Sequence, residues 1–145
     1  MQAILSQTAE YALRAMAWLA LRPPRTPVRA KDLSGGTGIP TYYLAKILRR
    51  LVLAGVLESQ KGQGGGFVLA RPASEITFLD VLAAVDASPT PERCAFGWGT
   101  CDAQHPCPLH GSWGEIYQAF TKWASGTTLA EVRRKSRRSA GKGGG

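Results

Sequence analysis

Four glycines fall within six residues at Lys61-Gly62-Gln63-Gly64-Gly65-Gly66, and this run constrains the fold more than any other feature of the chain. Val56-Leu57-Glu58-Ser59-Gln60 precedes it and Phe67-Val68-Leu69-Ala70 follows. Two short apolar segments around a glycine-rich loop read as the strands of a hairpin. Glycine at the tip removes the Cβ penalty of positive φ and lets a partner approach the backbone closely.

The residues ahead of the hairpin read as three helices. The first opens near Ser6 or Thr8, with Thr8 able to cap Ala9-Glu10-Tyr11, and stops at Arg22-Pro23-Pro24 because proline cannot continue a helix. Met16 and Trp18 add bulk on more than one of its faces, which predicts burial between neighbours. A shorter second helix is expected from Val28 to about Gly35. Gly35-Gly36-Thr37-Gly38 then forms a turn, and Pro40 suits the first turn of a third helix over Thr41 to Ala54, with Gly55 as its stop. Leu44, Ile47, Leu48, Leu51 and Val52 recur at spacings of three and four, as one buried face requires. Helix, glycine-containing turn, helix and hairpin, in that order, make a winged helix-turn-helix.

That order points to DNA. The outer face of the third helix carries Lys46, Arg49 and Arg50, with Thr41, Tyr42 and Tyr43 at its N-terminal end, where base and phosphate contacts concentrate. Lys61 at the wing tip is placed for a phosphate or the minor groove. Alone, the basic helix face is an ordinary solvated surface; joined to the preceding turn and the following hairpin it reads as a DNA interface. The glycine run lacks the Gly-Lys-Ser/Thr ending of a phosphate-binding P-loop, which excludes a nucleotidase.

After Pro72, a further amphipathic helix is expected over Ile76 to Val85. A long helix over about Ser112 to Ala124 carries Trp113, Ile116, Phe120 and Trp123 on one stripe. A second copy of the same helix would bury that stripe, and packing against the first helix is the intramolecular alternative. Thr128 to Val132 suits a last helical turn. No run near eighteen apolar residues exists to span a membrane, and the first residues lack the pattern of a secretory signal, so a cytoplasmic protein is expected. The formal charge is +8, of which residues 131–145 supply +5 through six basic residues and one acid. Such a tail is expected to be disordered, with salt-sensitive affinity for nucleic acid as a possible addition.

Between the last two helices lie the only three cysteines, Cys94, Cys101 and Cys107, in the pattern C-x6-C-x5-C-x2-H that ends at His110. An odd number in a reducing compartment argues against a disulfide framework. Gly, Pro, Asp and Gln around them do not build an apolar core. Thiolates this close on such a backbone can converge on one soft metal centre.

Taken together these features resemble the Rrf-type winged-helix transcription regulators of bacteria. The resemblance covers about residues 4–132 and rests on Leu5-Ser6-Gln7-Thr8-Ala9-Glu10-Tyr11-Ala12-Leu13-Arg14, Tyr43-Leu44, the wing Lys61 to Leu69, Ala84-Val85-Asp86, the three cysteines and Thr128-Leu129-Ala130-Glu131-Val132. It implies a homodimer on a palindromic double-stranded DNA operator, and an iron–sulfur cluster, [2Fe–2S] or [4Fe–4S], on Cys94, Cys101 and Cys107. For the fourth ligand it offers Glu10, reaching over from the other subunit, or His110, with His105 as a weaker candidate. The bland readings are that Glu10 caps its helix or pairs with Arg14, and that His110 caps the helix after it. Two departures stand out. The first cysteine gap has six residues where five is commoner, and Ala45 and Lys46 replace a glutamate and a glutamine that the family's iron–sulfur-cluster regulator carries in its recognition helix. A different operator follows.

The expected architecture is therefore mainly α with a small β-wing. Residues 1–72 form the DNA-binding region, residues 73–132 a sensor loop (about 88–110) and a dimerisation helix (about 112–124), and residues 133–145 a basic tail. The expected function is redox, nitric-oxide or iron–sulfur sensing coupled to transcription. A zinc site built from the three cysteines and His110, or a metal-free thiol switch, is the alternative. Catalysis by Cys and His would leave the winged helix without a purpose, so an enzyme is not expected.

Overall fold

The computed structural model describes residues 5–87 and 104–142, with side chains through residue 136. Helix α1 runs Gln7–Ala20. Ser6 caps it, its hydroxyl accepting the Ala9 N–H at 3.2 Å, and Thr8 lies inside the first turn. Three of the buried positions of α1 toward its start are alanines, Ala9, Ala12 and Ala15, which allow neighbouring elements to approach closely.

Helix α2 spans Ala30–Thr37 and α3 spans Thr41–Leu53. The expected start at Val28 is not a helix. Val28 donates its N–H to the Phe67 carbonyl at 3.0 Å and accepts the Phe67 N–H at 2.8 Å, so this β-branched residue is drawn into the sheet instead. At the other end α2 continues through Gly35 and Gly36 to Thr37 and stops at Gly38, whose φ of 76° lies in the left-handed region. The turn into α3 is tied by side chains. The Ser34 hydroxyl donates to the Ile39 carbonyl at 2.6 Å, and Thr37 Oγ1 donates to the Leu33 carbonyl at 2.6 Å. Ile39 itself is buried beneath the turn.

Strands β1 (Leu57–Gln60) and β2 (Gly66–Leu69) pair antiparallel, Leu57 opposite Leu69 and Gln60 opposite Gly66. With the Val28 bridge, the order across the edge is Val28, β2, β1. A 3-10 turn over Ala73–Glu75 leads to α4 (Phe78–Ala84), which is shorter than the periodicity predicts. Thr77 and Asp80 close a capping box at its start, with Asp80 N–H to Thr77 Oγ1 at 3.1 Å and Thr77 N–H to Asp80 Oδ2 at 3.0 Å. Helices α5 (His110–Gly126) and α6 (Leu129–Lys142) complete the fold.

The segment after residue 132 departs from the expected tail, because α6 continues through residues 133–142. Arg133 anchors it: its Nε donates to the Ala20 carbonyl at 3.0 Å and its Nη2 to the Arg22 carbonyl at 2.6 Å, satisfying acceptors at the end of α1. Leu129, fully buried, belongs to the same apolar cluster as Met16, Leu33, Leu48 and Ile76. One core therefore runs through the winged helix and into the C-terminal third. Among the described residues no helix is long and apolar enough to cross a membrane.

Candidate functional site

Amphipathic spacing orients α3. Leu44, Ile47, Leu48 and Leu51 are buried, which turns Thr41, Tyr42, Lys46 and Arg49 outward. Tyr42 is 67% exposed. Its hydroxyl accepts from Lys46 Nζ at 2.8 Å, and the same ammonium lies 4.4 Å from the ring centroid. That hydrogen bond and the adjacent positive charge hold the Tyr42 hydroxyl below its ordinary pKa. The pair, one turn apart, fixes a cation on the outward face of the helix.

The seven expected DNA-contacting residues do not all behave alike. Arg49 and Arg50 are both exposed, and Arg50 in addition donates through Nη1 to the Val85 carbonyl at 3.3 Å. Arg50 ties α3 to the end of α4. Tyr43 is about half exposed, and its ring meets Tyr42 at 5.6 Å and Tyr11 of α1 at 6.0 Å between centroids. Tyr11 was not singled out by sequence; its spacing from Arg14 and from the alanine face of α1 carries no signal that it reaches α3. Lys61 is exposed at the wing. The turn beside it is closed by Gly65 N–H to the Gly62 carbonyl at 3.1 Å, with Gly62 and Gly64 at positive φ. A Cβ at Gly65 would collide with the Gln60 carbonyl oxygen, so the wing tip admits only glycine there.

Of the cysteines, Cys107 is described; Cys94 and Cys101 lie outside the described residues. Cys107 is half-buried, with a free thiol among the described residues, and its carbonyl accepts the His110 N–H at 3.0 Å. One turn at the head of α5 thus holds Cys107 and His110 together. Among the described residues no group of three His, Cys, Asp or Glu side chains gathers to hold a metal. Glu10 is half-buried on α1 and is not paired with Arg14, whose guanidinium lies 5.4 Å from the Tyr11 ring centroid and donates to the Thr37 carbonyl at 3.5 Å. Ala9, beside Glu10, belongs to a small buried cluster with Leu82 and Ala124, near the far end of α5. Ala124 and His110 are separated by about 21 Å along that helix, from the ordinary helical rise.

The apolar stripe of α5 is divided. Phe120 packs on the cluster of Ala9, Leu82 and Ala124, and Trp123 meets Phe78 of α4 edge-on at 5.4 Å. Trp113, Ile116 and Trp123 nevertheless lie exposed, Ile116 at 61% and Trp123 at 44%.

Residues 5–135 match the family described as Rrf2, iron-dependent transcriptional regulator. The chain belongs to the Rrf2 family. Members of the Rrf2 family include the HTH-type transcriptional regulator IscR of Klebsiella pneumoniae (strain 342) and its counterpart in Escherichia coli O1:K1, each 34% identical to this chain over 128 residues, covering 88% of this chain and 78% of the relative. Two solved structures share the Rrf2 winged-helix fold. They are CymR, the global cysteine regulator of B. subtilis (TM-score 0.77, 23% identity, 93% of this chain and 98% of that one), and T. potens IscR (TM-score 0.75, 23% identity, 94% and 90%). This Rrf2 chain is a DNA-binding transcription regulator, and α3 with the wing presents Lys46, Arg49 and Lys61 outward.

Proposed function

We propose that this regulator is a cytoplasmic homodimer that binds a palindromic operator and senses redox, nitric-oxide or iron–sulfur status through an iron–sulfur cluster. The observation that carries this reading is Cys107, a half-buried free thiol one backbone turn before His110 at the head of α5, at the end of the cysteine segment. Three thiolates with an imidazole or carboxylate are a donor set that fits such a cluster. Cys94, Cys101 and Cys107 would hold it, and when bound it would supply a centre that oxidants, nitric oxide or iron supply alter.

Two residues compete for the fourth position, and the packing separates their roles. His110 is local, one turn beyond Cys107. Glu10 sits beside the opposite end of α5 from Cys107, so its carboxylate would complete a site only from a second protomer. Its freedom from Arg14 leaves it available for that role. In the second protomer's arrangement, Trp113, Ile116 and the exposed edge of Trp123 are the natural dimer contacts, with Phe120 shared between the interface and α4.

Toward DNA, Thr41, Tyr42, Tyr43, Lys46 and Arg49 would face the major groove, and Lys61 the phosphates beside it. Arg50, exposed beside Arg49, would add a further phosphate contact while its bond to the Val85 carbonyl ties α3 to the end of α4. Movement of the segment between α4 and α5 would shift the spacing of the two recognition helices, to which half-sites about one helical turn apart respond.

Anaerobic purification tests the cluster. Visible absorption with matching iron and sulfide supports it, and a colourless, iron-free protein after reconstitution would sink it. Zinc held by Cys94, Cys101, Cys107 and His110 is the second reading, favoured by the local Cys107–His110 turn; it predicts stoichiometric zinc without colour. A thiol switch predicts reversible disulfide formation with neither metal. Glu10→Ala and His110→Ala, compared spectroscopically, identify the fourth ligand by which of the two alters the spectrum.

A further inference from the structure

Behind the wing, a cleft of about 540 Å³ opens between the α1–α2 connection, the C-terminal part of β2 with the segment after it, and the first turns of α6. Among the described residues its lining includes four arginines, Arg22, Arg25, Arg71 and Arg133, and no carboxylate. Apolar surface from Phe67 and Leu69 forms part of its wall. A cavity of this size with an apolar wall and a few convergent charges has the composition of a small-molecule site.

The four guanidiniums are held in different ways. Arg133 is fixed by the Ala20 and Arg22 carbonyls. Arg22 lies over the Trp18 ring at 4.2 Å, and its Nε is buried with no hydrogen-bond partner. The Trp18 ring thus holds the Arg22 guanidinium in place beside the cleft. Arg71 has Asp80 on one side at a loose 3.6 Å and the Glu75 carbonyl at 3.3 Å. Arg25 is exposed at the rim, in left-handed backbone with φ 60°, and forms no hydrogen bond or ion pair among the described residues. Guanidiniums in a planar, forked geometry recognise carboxylates and phosphates.

We infer that this cleft binds a small organic anion, a carboxylate or phosphate head on an apolar body. The head meets the arginines and the body lies against Phe67 and Leu69. No described residue of the cysteine segment lines the cleft, and the proposal does not depend on the cluster reading. An occupant would join α6 to the base of the wing.

Calorimetry on the full chain, with phenyl phosphate and phenylacetate as probes, tests this. Inorganic phosphate and phenol supply the head and the body separately. Saturable binding of at least one aromatic anion, tighter than either half alone, is expected. Arg25→Gln/Arg71→Gln should weaken that binding by about tenfold or more, as loss of charge-assisted hydrogen bonds does, while a cooperative melt shows that the fold is retained. Lys61→Gln, which removes a charge at the wing tip, should leave it intact. No binding of either aromatic anion at millimolar concentration would overturn the proposal. So would equal loss in Lys61→Gln, which would mark attraction to the basic chain as a whole. If Arg25→Gln/Arg71→Gln lowers operator affinity but spares probe binding, these arginines face DNA phosphates and the proposal fails.

Discussion

The ring of Tyr11 on α1 meets the ring of Tyr43 on α3 edge-on, centroids 6.0 Å apart and planes at 63°. Tyr11 follows Glu10, a candidate cluster ligand, and Tyr43 belongs to the first turn of the recognition helix. The contact therefore joins the part of α1 proposed to meet a second protomer directly to the part of α3 proposed to face DNA. Edge-to-face aromatic pairs are worth about 0.5–1.5 kcal/mol beyond their buried area. A double-mutant cycle of Tyr11→Leu and Tyr43→Leu, read by chemical denaturation, should return a coupling in that range. Additive losses would show that the rings do not interact.

Tyr42 and Lys46 predict an alkaline titration. The hydrogen bond from Lys46 and its charge depress the Tyr42 pKa, so one tyrosine should ionise below the ordinary value of about 10 in ultraviolet titration. In Lys46→Met that early ionisation should move upward. Because the folded-state value is the lower one, the linked stability is fully present above the unfolded tyrosine value and disappears as pH falls through the folded one. At neutral pH the hydroxyl is protonated in both states, and the pair adds no pH dependence there.

Neighbouring arginines on α3 should give different phenotypes. Arg49→Ala is expected to weaken operator binding and lower the salt slope by about one unit, as loss of a phosphate contact does. Arg50→Ala leaves the Val85 carbonyl without its donor and should cost about 1–3 kcal/mol of stability. Fluorescence anisotropy at several salt concentrations, beside thermal melts of both variants, distinguishes them.

The docking of α6 should be measurable in two steps. Leu129→Ala removes a fully buried side chain and is expected to cost about 2–5 kcal/mol. Arg133→Ala leaves the carbonyls of Ala20 and Arg22 without that partner and should cost about 1–3 kcal/mol. Urea unfolding of each variant is the measurement; unchanged stability in Leu129→Ala would contradict the packing of α6 onto the core.

Gly66 should not tolerate a side chain. It has φ of 151°, and a methyl group there would lie 2.6 Å from the Val28 carbonyl oxygen. Gly66→Ala is expected to break the Val28–Phe67 bridge and destabilise the wing by about 1–3 kcal/mol. Faster amide exchange at Val28 and Phe67 would report it, and unaltered exchange would refute it.

Local pattern alone determined much of this protein. The spacing of Leu44, Ile47, Leu48 and Leu51 set which face of α3 is buried, and the glycines at 62–66 set the hairpin, because both depend on periodicity and on φ rather than on distant contacts. The family was legible for the same reason: its signatures are short segments in a fixed order. Elsewhere the tertiary structure decided. Val28 left α2 because Phe67 offered its amide a sheet partner, and α6 outlasted the expected last turn as Arg133 bound the end of α1. Arg50 and Arg49 are adjacent, alike in sequence and both exposed, yet only Arg50 finds the Val85 carbonyl within reach. The stripe on α5 likewise divided where Leu82 of α4 and Ala9 of α1 received Phe120, leaving Trp113, Ile116 and much of Trp123 exposed. Each of these outcomes turns on a partner many residues away, and no local period records which distant backbone group will be within reach.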